Sequence, residues 1–191
     1  MKSKILFPLI TIVFLFLLAC GNNYTPKPRG YFRIDLPLKD YKQYTSSCPY
    51  TFEYPAYTVV VTTNKDEPCW LNIYYPKLDA TIHLSYKEVE GNLSLLLEDT
   101  RTFVYKHTIK ADAIEENLYS NAGKDVHGIL YEIKGNAASA IQFYITDSTK
   151  HFIRGALYFN ALPNKDSLAP VIEFVHQDIL HLIETTEWKL N

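Results

Sequence analysis

Apolar and polar residues keep three rhythms along this chain. Residues 5–19 form an almost unbroken apolar run, interrupted by Pro8 and Thr11. Between Phe32 and Phe159 the main rhythm is alternation. Phe32, Ile34 and Leu36 alternate with Arg33 and Asp35, and Ile82, Leu84 and Tyr86 with Thr81, His83 and Ser85. Ile129, Tyr131 and Ile133 alternate with Leu130, Glu132 and Lys134, and Ile141, Phe143 and Ile145 with Gln142, Tyr144 and Thr146. Ile153, Leu157 and Phe159 oppose Arg154 and Tyr158. Period two puts successive side chains on opposite faces, so these segments predict strands with one buried and one wetter face. Tyr50–Tyr54, Tyr57–Thr63 and Trp70–Tyr75 predict three consecutive strands of a meander, turning at Pro55-Ala56 and at residues 64–68. Gly135-Asn136 is a two-residue hairpin signal and residues 147–150 a slightly longer one. Links this short force antiparallel neighbours. Ile114–Tyr119 carries a weaker strand pattern.

Two segments have the helical period. Residues 92–110 carry Leu93, Leu96, Leu97, Phe103 and Val104 on one side, with Asn92 or Ser94 as a cap and Lys106 and Lys110 at the negative end. From Ser167 onward, Leu168, Val171, Ile172, Val175, Ile179, Leu182 and Ile183 form one apolar stripe. Pro170 is expected in the first turn, where no intrahelical donor is lost. The expected fold is therefore α+β: an antiparallel sheet of roughly seven to nine strands with two main helices packed on it. The element order, with Tyr54-Pro55 as a corner after an early strand, resembles the PsbP/Mog1-like α-β-α sandwich. That likeness concerns fold and says nothing of activity.

The apolar run at the start stands apart from this pattern. Lys2 and Lys4 precede it, and about fifteen apolar residues are too few to cross a hydrocarbon core that needs about 20. A positive start, a short apolar run and a small final residue mark a secretory signal. Leu17-Leu18-Ala19-Cys20 looks like a bacterial lipobox, in which cleavage precedes a cysteine whose thiol carries a diacylglycerol. An uncleaved anchor, or an ordinary signal with a chance cysteine, is the competing reading. The expected organisation is a signal peptide at 1–19, a lipidated Cys20 and tether at 20–30, and one globular domain at 31–191. Pro26 and Pro28 favour extended backbone, and ten such residues span about 30 Å.

Composition changes the picture little. The formal net charge is −2 and no basic patch stands out, which disfavours nucleic acid as a partner. Fifteen tyrosines suit half-buried strands and interfaces. Cys48 and Cys69 precede the first and third strands of the predicted meander, at the same end of the sheet. In an oxidising compartment such a pair is expected to form a disulfide. Catalytic and metal signatures are absent from the pattern. His176 and His181 lie about 140° apart on a helix and cannot share a metal from one face. Asp178 and His181 suggest an exposed i,i+3 pair. His83, His107, His127 and His151 stand singly, and no serine lies in a nucleophile motif. No catalytic residue, cofactor or metal site is predicted.

The run Tyr24-Thr25-Pro26-Lys27-Pro28-Arg29-Gly30-Tyr31-Phe32-Arg33-Ile34-Asp35-Leu36-Pro37, just past the lipobox, resembles the gliding-motility lipoprotein GldD family of Bacteroidetes. The resemblance continues through residues 48–55 and, in kind, through 69–76. It implies a non-catalytic lipoprotein that faces the periplasm and supports gliding and type IX protein secretion. Its partners would be other envelope proteins of that machinery. Surface-exported lipoproteins of that phylum usually carry acids after the lipidated cysteine. Here the first acid is Asp35, so the inner leaflet of the outer membrane is expected. The basic aromatic residues Arg29, Tyr31, Phe32 and Arg33 are candidate partner contacts. A periplasmic binding domain for a small molecule, lipid or glycan, with a pocket between sheet and helices, is the alternative.

Overall fold

A computed structural model describes residues 34–63 and 65–189. Ten strands and two helices follow one another: β1 (Tyr41–Tyr44), β2 (Tyr50–Pro55), β3 (Val59–Thr62), β4 (Leu71–Tyr75), β5 (Ala80–Glu88), α1 (Leu93–Tyr105), a 3-10 turn (Lys106–Ile109), β6 (Ala111–Asn121), β7 (Val126–Gly135), β8 (Ser139–Thr146), β9 (His151–Phe159), α2 (Lys165–Thr185) and β10 (Glu187–Trp188). Seven strands make one antiparallel sheet in the order β3-β4-β5-β9-β8-β7-β6. The other three make a small sheet in the order β1-β2-β10. The α+β expectation holds, with ten strands in place of seven to nine and two sheets in place of one.

The meander expected for residues 50–75 does not form. β2 pairs with β1 and β10, whereas β3 pairs with β4. The turn after Pro55, closed by Thr58 N–H and Oγ1 both donating to the Pro55 carbonyl, carries the chain from one layer to the other. Alternation identifies a strand but not its partner, so the layer change was invisible in the pattern. Cys48 and Cys69 are joined, with Cα atoms 5.5 Å apart. Because they precede β2 and β4, the bond ties the small sheet to the large one. Tyr50 OH adds a second tie by donating to the Cys69 carbonyl at 2.7 Å. Closing a loop of this length contributes about 3 kcal/mol in the chain-entropy account.

The large sheet is covered on both faces. One face presents Ile73, Ile82, Leu84, Ile141, Phe143, Ile145, Ile153 and Leu157, which pack against Phe52 of the small sheet and Val175, Ile179 and Leu182 of α2. Fully burying each such side chain contributes roughly 1.5–3 kcal/mol. Gly155 of β9 faces Phe143 of β8, and a Cβ at Gly155 would overlap the Phe143 ring. The opposite face takes Val104 of α1 against Tyr131 and Ile133. The two helices thus lie on opposite faces.

Local signals were met unevenly. α2 begins at Lys165, with Asn164 Oδ1 accepting from Ser167 N–H at 3.2 Å. Pro170 is therefore the sixth helical residue, beyond the first turn, and cannot donate to the Asp166 carbonyl. Asn92 precedes α1 without capping it by side chain; its Oδ1 accepts from Glu90 N–H instead. Gly135, with φ +109°, ends β7, so the hairpin loop is residues 136–138 and not Gly135-Asn136. The 147–150 link is a hairpin as expected, with Asp147 Oδ1 accepting from the N–H groups of Thr149, Lys150 and His151. The alternation at 32–36 does not extend into a strand over 34–40. β6, the weak pattern, is an eleven-residue edge strand, exposed along most of its length.

Candidate functional site

Strand register puts polar residues in rows across the face under α1. One row runs Asn72, His83, Ala156, Gln142 and Tyr131, from β4 to β7. The next runs Ser85, Arg154, Tyr144 and Ile129. α1 covers the β7–β8 end of these rows through Val104 and stands off the β4–β5–β9 end. The gap is a groove of about 420 Å³. Asn72, His83, Phe152, Arg154 and Tyr158 floor it, while Leu96, Thr100 and Phe103 of α1 roof it, with Trp70 at one end. Its volume falls in the range of small-ligand pockets.

Arg154 is the central feature. Its Nη2 donates to Gln142 Oε1 at 2.9 Å, and its guanidinium lies 4.5 Å from the Phe103 ring centroid. Its Nε and the Nε2 of the buried Gln142 have no partner. Burial pushes the guanidinium below its ordinary pKa. His83 stands two residues along the same face. Its Nδ1 lies 2.7 Å from Asn72 Oδ1, and its ring meets Tyr158 edge-on at 5.7 Å. Desolvation lowers its pKa as well, so the imidazole is neutral at neutral pH. The groove is thus an apolar, aromatic slot with one desolvated cation in its floor.

A second polar cluster lies on the other face, under α2. Asp178 is buried. Its Oδ1 accepts from Lys39 Nζ at 2.6 Å and Tyr41 OH at 3.0 Å. Its Oδ2 accepts from Tyr57 OH at 2.8 Å and Tyr75 OH at 3.3 Å. Lys39 also donates to the Phe174 carbonyl and sits over the Phe174 ring. Desolvation lowers the Lys39 pKa even with the carboxylate beside it. Asp178 is therefore not the exposed partner of His181 that spacing suggested. His181 instead reaches Glu53 Oε2 at 2.6 Å and stacks on Tyr41. The cluster is closed and fully bonded, and it clamps the segment before β1 to α2.

The remaining histidines are less isolated than the sequence implied. His151 lies 2.9 Å from Tyr86 OH and stacks on Trp188. His127 bridges Ser120 Oγ at 3.0 Å and Asp125 Oδ1 at 3.2 Å. That trio sits on the exposed β6–β7 hairpin, with its imidazole and carboxylate open to solvent. Among the described residues no three His, Cys, Asp or Glu side chains converge as metal ligands. Cys20, Arg29, Tyr31, Phe32 and Arg33 lie outside the described residues.

The family model for the gliding motility lipoprotein GldD matches residues 21–188. The chain belongs to the GldD lipoprotein family. The match spans both sheets, both helices and the groove. Membership links the chain to gliding motility and, as a lipoprotein family, to the cell envelope. No curated protein matches the chain. No helix among the described residues is long and apolar enough to cross a membrane.

Proposed function

We propose that this protein supports gliding motility and type IX secretion by binding other envelope proteins, without catalysing a reaction. In this reading residues 1–19 are removed, Cys20 carries the lipid, residues 20–30 tether, and 31–191 form the periplasmic domain. The anchor holds it in the inner leaflet of the outer membrane. The observation that carries the reading is the family match, which begins at residue 21, one position past Cys20. The surface also suits binding. On and just after α1, Leu95 is 61% exposed and Ile109 87%, and Phe103 and Tyr105 are also exposed. Arg29, Tyr31, Phe32 and Arg33 are proposed as further contacts where the tether meets the domain.

A gene-deletion strain complemented with wild-type or Cys20→Ser protein tests this. Deletion is expected to abolish colony spreading and cargo secretion. Cys20→Ser is expected to leave the membrane fraction and fail to restore either. Normal spreading and secretion in the deletion strain would sink the proposal.

The groove favours a second reading, in which the domain binds a small molecule. Its volume and its mixture of aromatic walls with a few placed polar groups are those of a ligand site.

A further inference from the structure

On the reading that the groove is a ligand site, Arg154 specifies what enters it. A guanidinium taken out of water is costly unless an anion and full hydrogen bonding offset it. Here neither is supplied from within. Among the described residues no carboxylate lies within ion-pair distance of Arg154, although eight such pairs exist elsewhere in the domain. The neutral Gln142 oxygen takes one of its five N–H groups. The two unpartnered atoms nearby, Arg154 Nε and Gln142 Nε2, are both donors. What the site lacks is an acceptor with negative charge. The surroundings define the rest of the molecule. Trp70, Leu96, Phe103, Phe152 and Tyr158 present apolar and aromatic surface. Lys87 and Asp99 also line the groove, one charge of each sign, so the formal charge of the lining is that of Arg154. One desolvated cation balances one negative charge; a dianion such as a phosphate monoester would leave a second charge against apolar walls.

We propose that the groove between α1 and the large sheet binds a small apolar or aromatic monocarboxylate, with Arg154 as its counter-ion. Phe103, stacked over the guanidinium, closes the slot above the ion pair. Carboxylate and guanidinium match geometrically, because two parallel N–H donors meet two oxygens.

The test uses the full lipidated chain in nanodiscs, titrated calorimetrically with 2-naphthoate and with its neutral isostere 2-naphthamide, against empty nanodiscs. The acid is expected to bind at least tenfold more tightly than the amide. Arg154→Met is expected to erase that preference, and Arg154→Lys to keep part of it. The free Arg154→Met protein is expected to melt close to the parent, because the lost Gln142 hydrogen bond and Phe103 contact are offset by removal of a desolvated charge that has no counter-ion in the fold. Equal binding of acid and amide by the parent overturns the monocarboxylate assignment while leaving the ligand-site reading intact. Binding of neither probe overturns both. A preference that persists in Arg154→Met, or a drop of several degrees in the melting temperature of Arg154→Met and Arg154→Lys alike, assigns Arg154 a structural role and overturns the proposal.

Discussion

Replacing Asp178 with asparagine is the most informative change to the core. The carboxylate accepts from four donors, two on each oxygen, and one of the donors is an ammonium. Asparagine turns one acceptor into a donor. In either amide orientation, one pair of donors meets an N–H₂ group. Tyr57 or Tyr41 can rotate its hydroxyl to accept, but Lys39 cannot, and it loses its counter-charge in both cases. Breaking a buried ion pair from one side costs about 3–5 kcal/mol. The Lys39 side chain keeps 27% of its exposure, and Phe174 still offers its carbonyl. The lower end, about 3 kcal/mol, is expected. For a domain of this size that corresponds to a fall of roughly 6–12 °C in Tm. Lys39→Met should cost less, because three hydroxyls still hold the carboxylate. The pair should show a coupling above about 1 kcal/mol in a double-mutant cycle. Urea unfolding followed by tryptophan fluorescence gives the midpoint and slope for all four proteins. An Asp178→Asn protein within about 1 kcal/mol of the parent at unchanged slope would refute the claim that this cluster clamps α2 to the segment before β1.

Two further outcomes follow from packing and protonation. Gly155→Ala should destabilise by about 1–3 kcal/mol, since the new methyl overlaps the buried Phe143 ring; adding Phe143→Leu should restore part of the urea midpoint, and an unshifted midpoint in the single variant would contradict the packing. Desolvation holds the His151 pKa below its ordinary 6.5, with Lys150 acting the same way and Asp147 and Glu88 opposing. The unfolded chain therefore takes up this proton first, and stability should fall as pH drops below about 6.5, by at most about 1.4 kcal/mol per pH unit. Melting temperatures between pH 7.5 and 5 should fall less steeply in His151→Gln than in the parent; parallel curves would refute it.

The central strands were legible because their environment is uniform. β5, β7, β8 and β9 each have one face on the main core, and the alternation of Ile82, Leu84 and Tyr86 or of Ile141, Phe143 and Ile145 records it directly. β1, with the sequence Tyr-Lys-Gln-Tyr, is a four-residue edge strand whose central residues are exposed, so no pattern announced it. Ile34 and Leu36 alternate like a strand yet are exposed where described. Asp178 left a signal that spacing alone misread. It lies among Val175, Ile179 and Leu182 on the stripe that faces the core, and an acid on such a stripe calls for buried donors. Those donors came from residues 39, 41, 57 and 75, far away in the chain. The groove left no signal, because it depends on where α1 lifts off the sheet. Arg154 looked like any outward residue of an alternating strand until a helix was placed over it.

The eleven-residue strand at the rim of the large sheet carries an implication for crowding. Molecules held by lipid diffuse in two dimensions, at local concentrations far above those in solution. An open strand rim is there an invitation to polymerise. Asp112, Glu115 and Glu116 lie along that rim. Charged side chains along an edge disfavour the addition of another strand, and Asp112 and Glu115 are held there by ion pairs with Lys165 and Lys134.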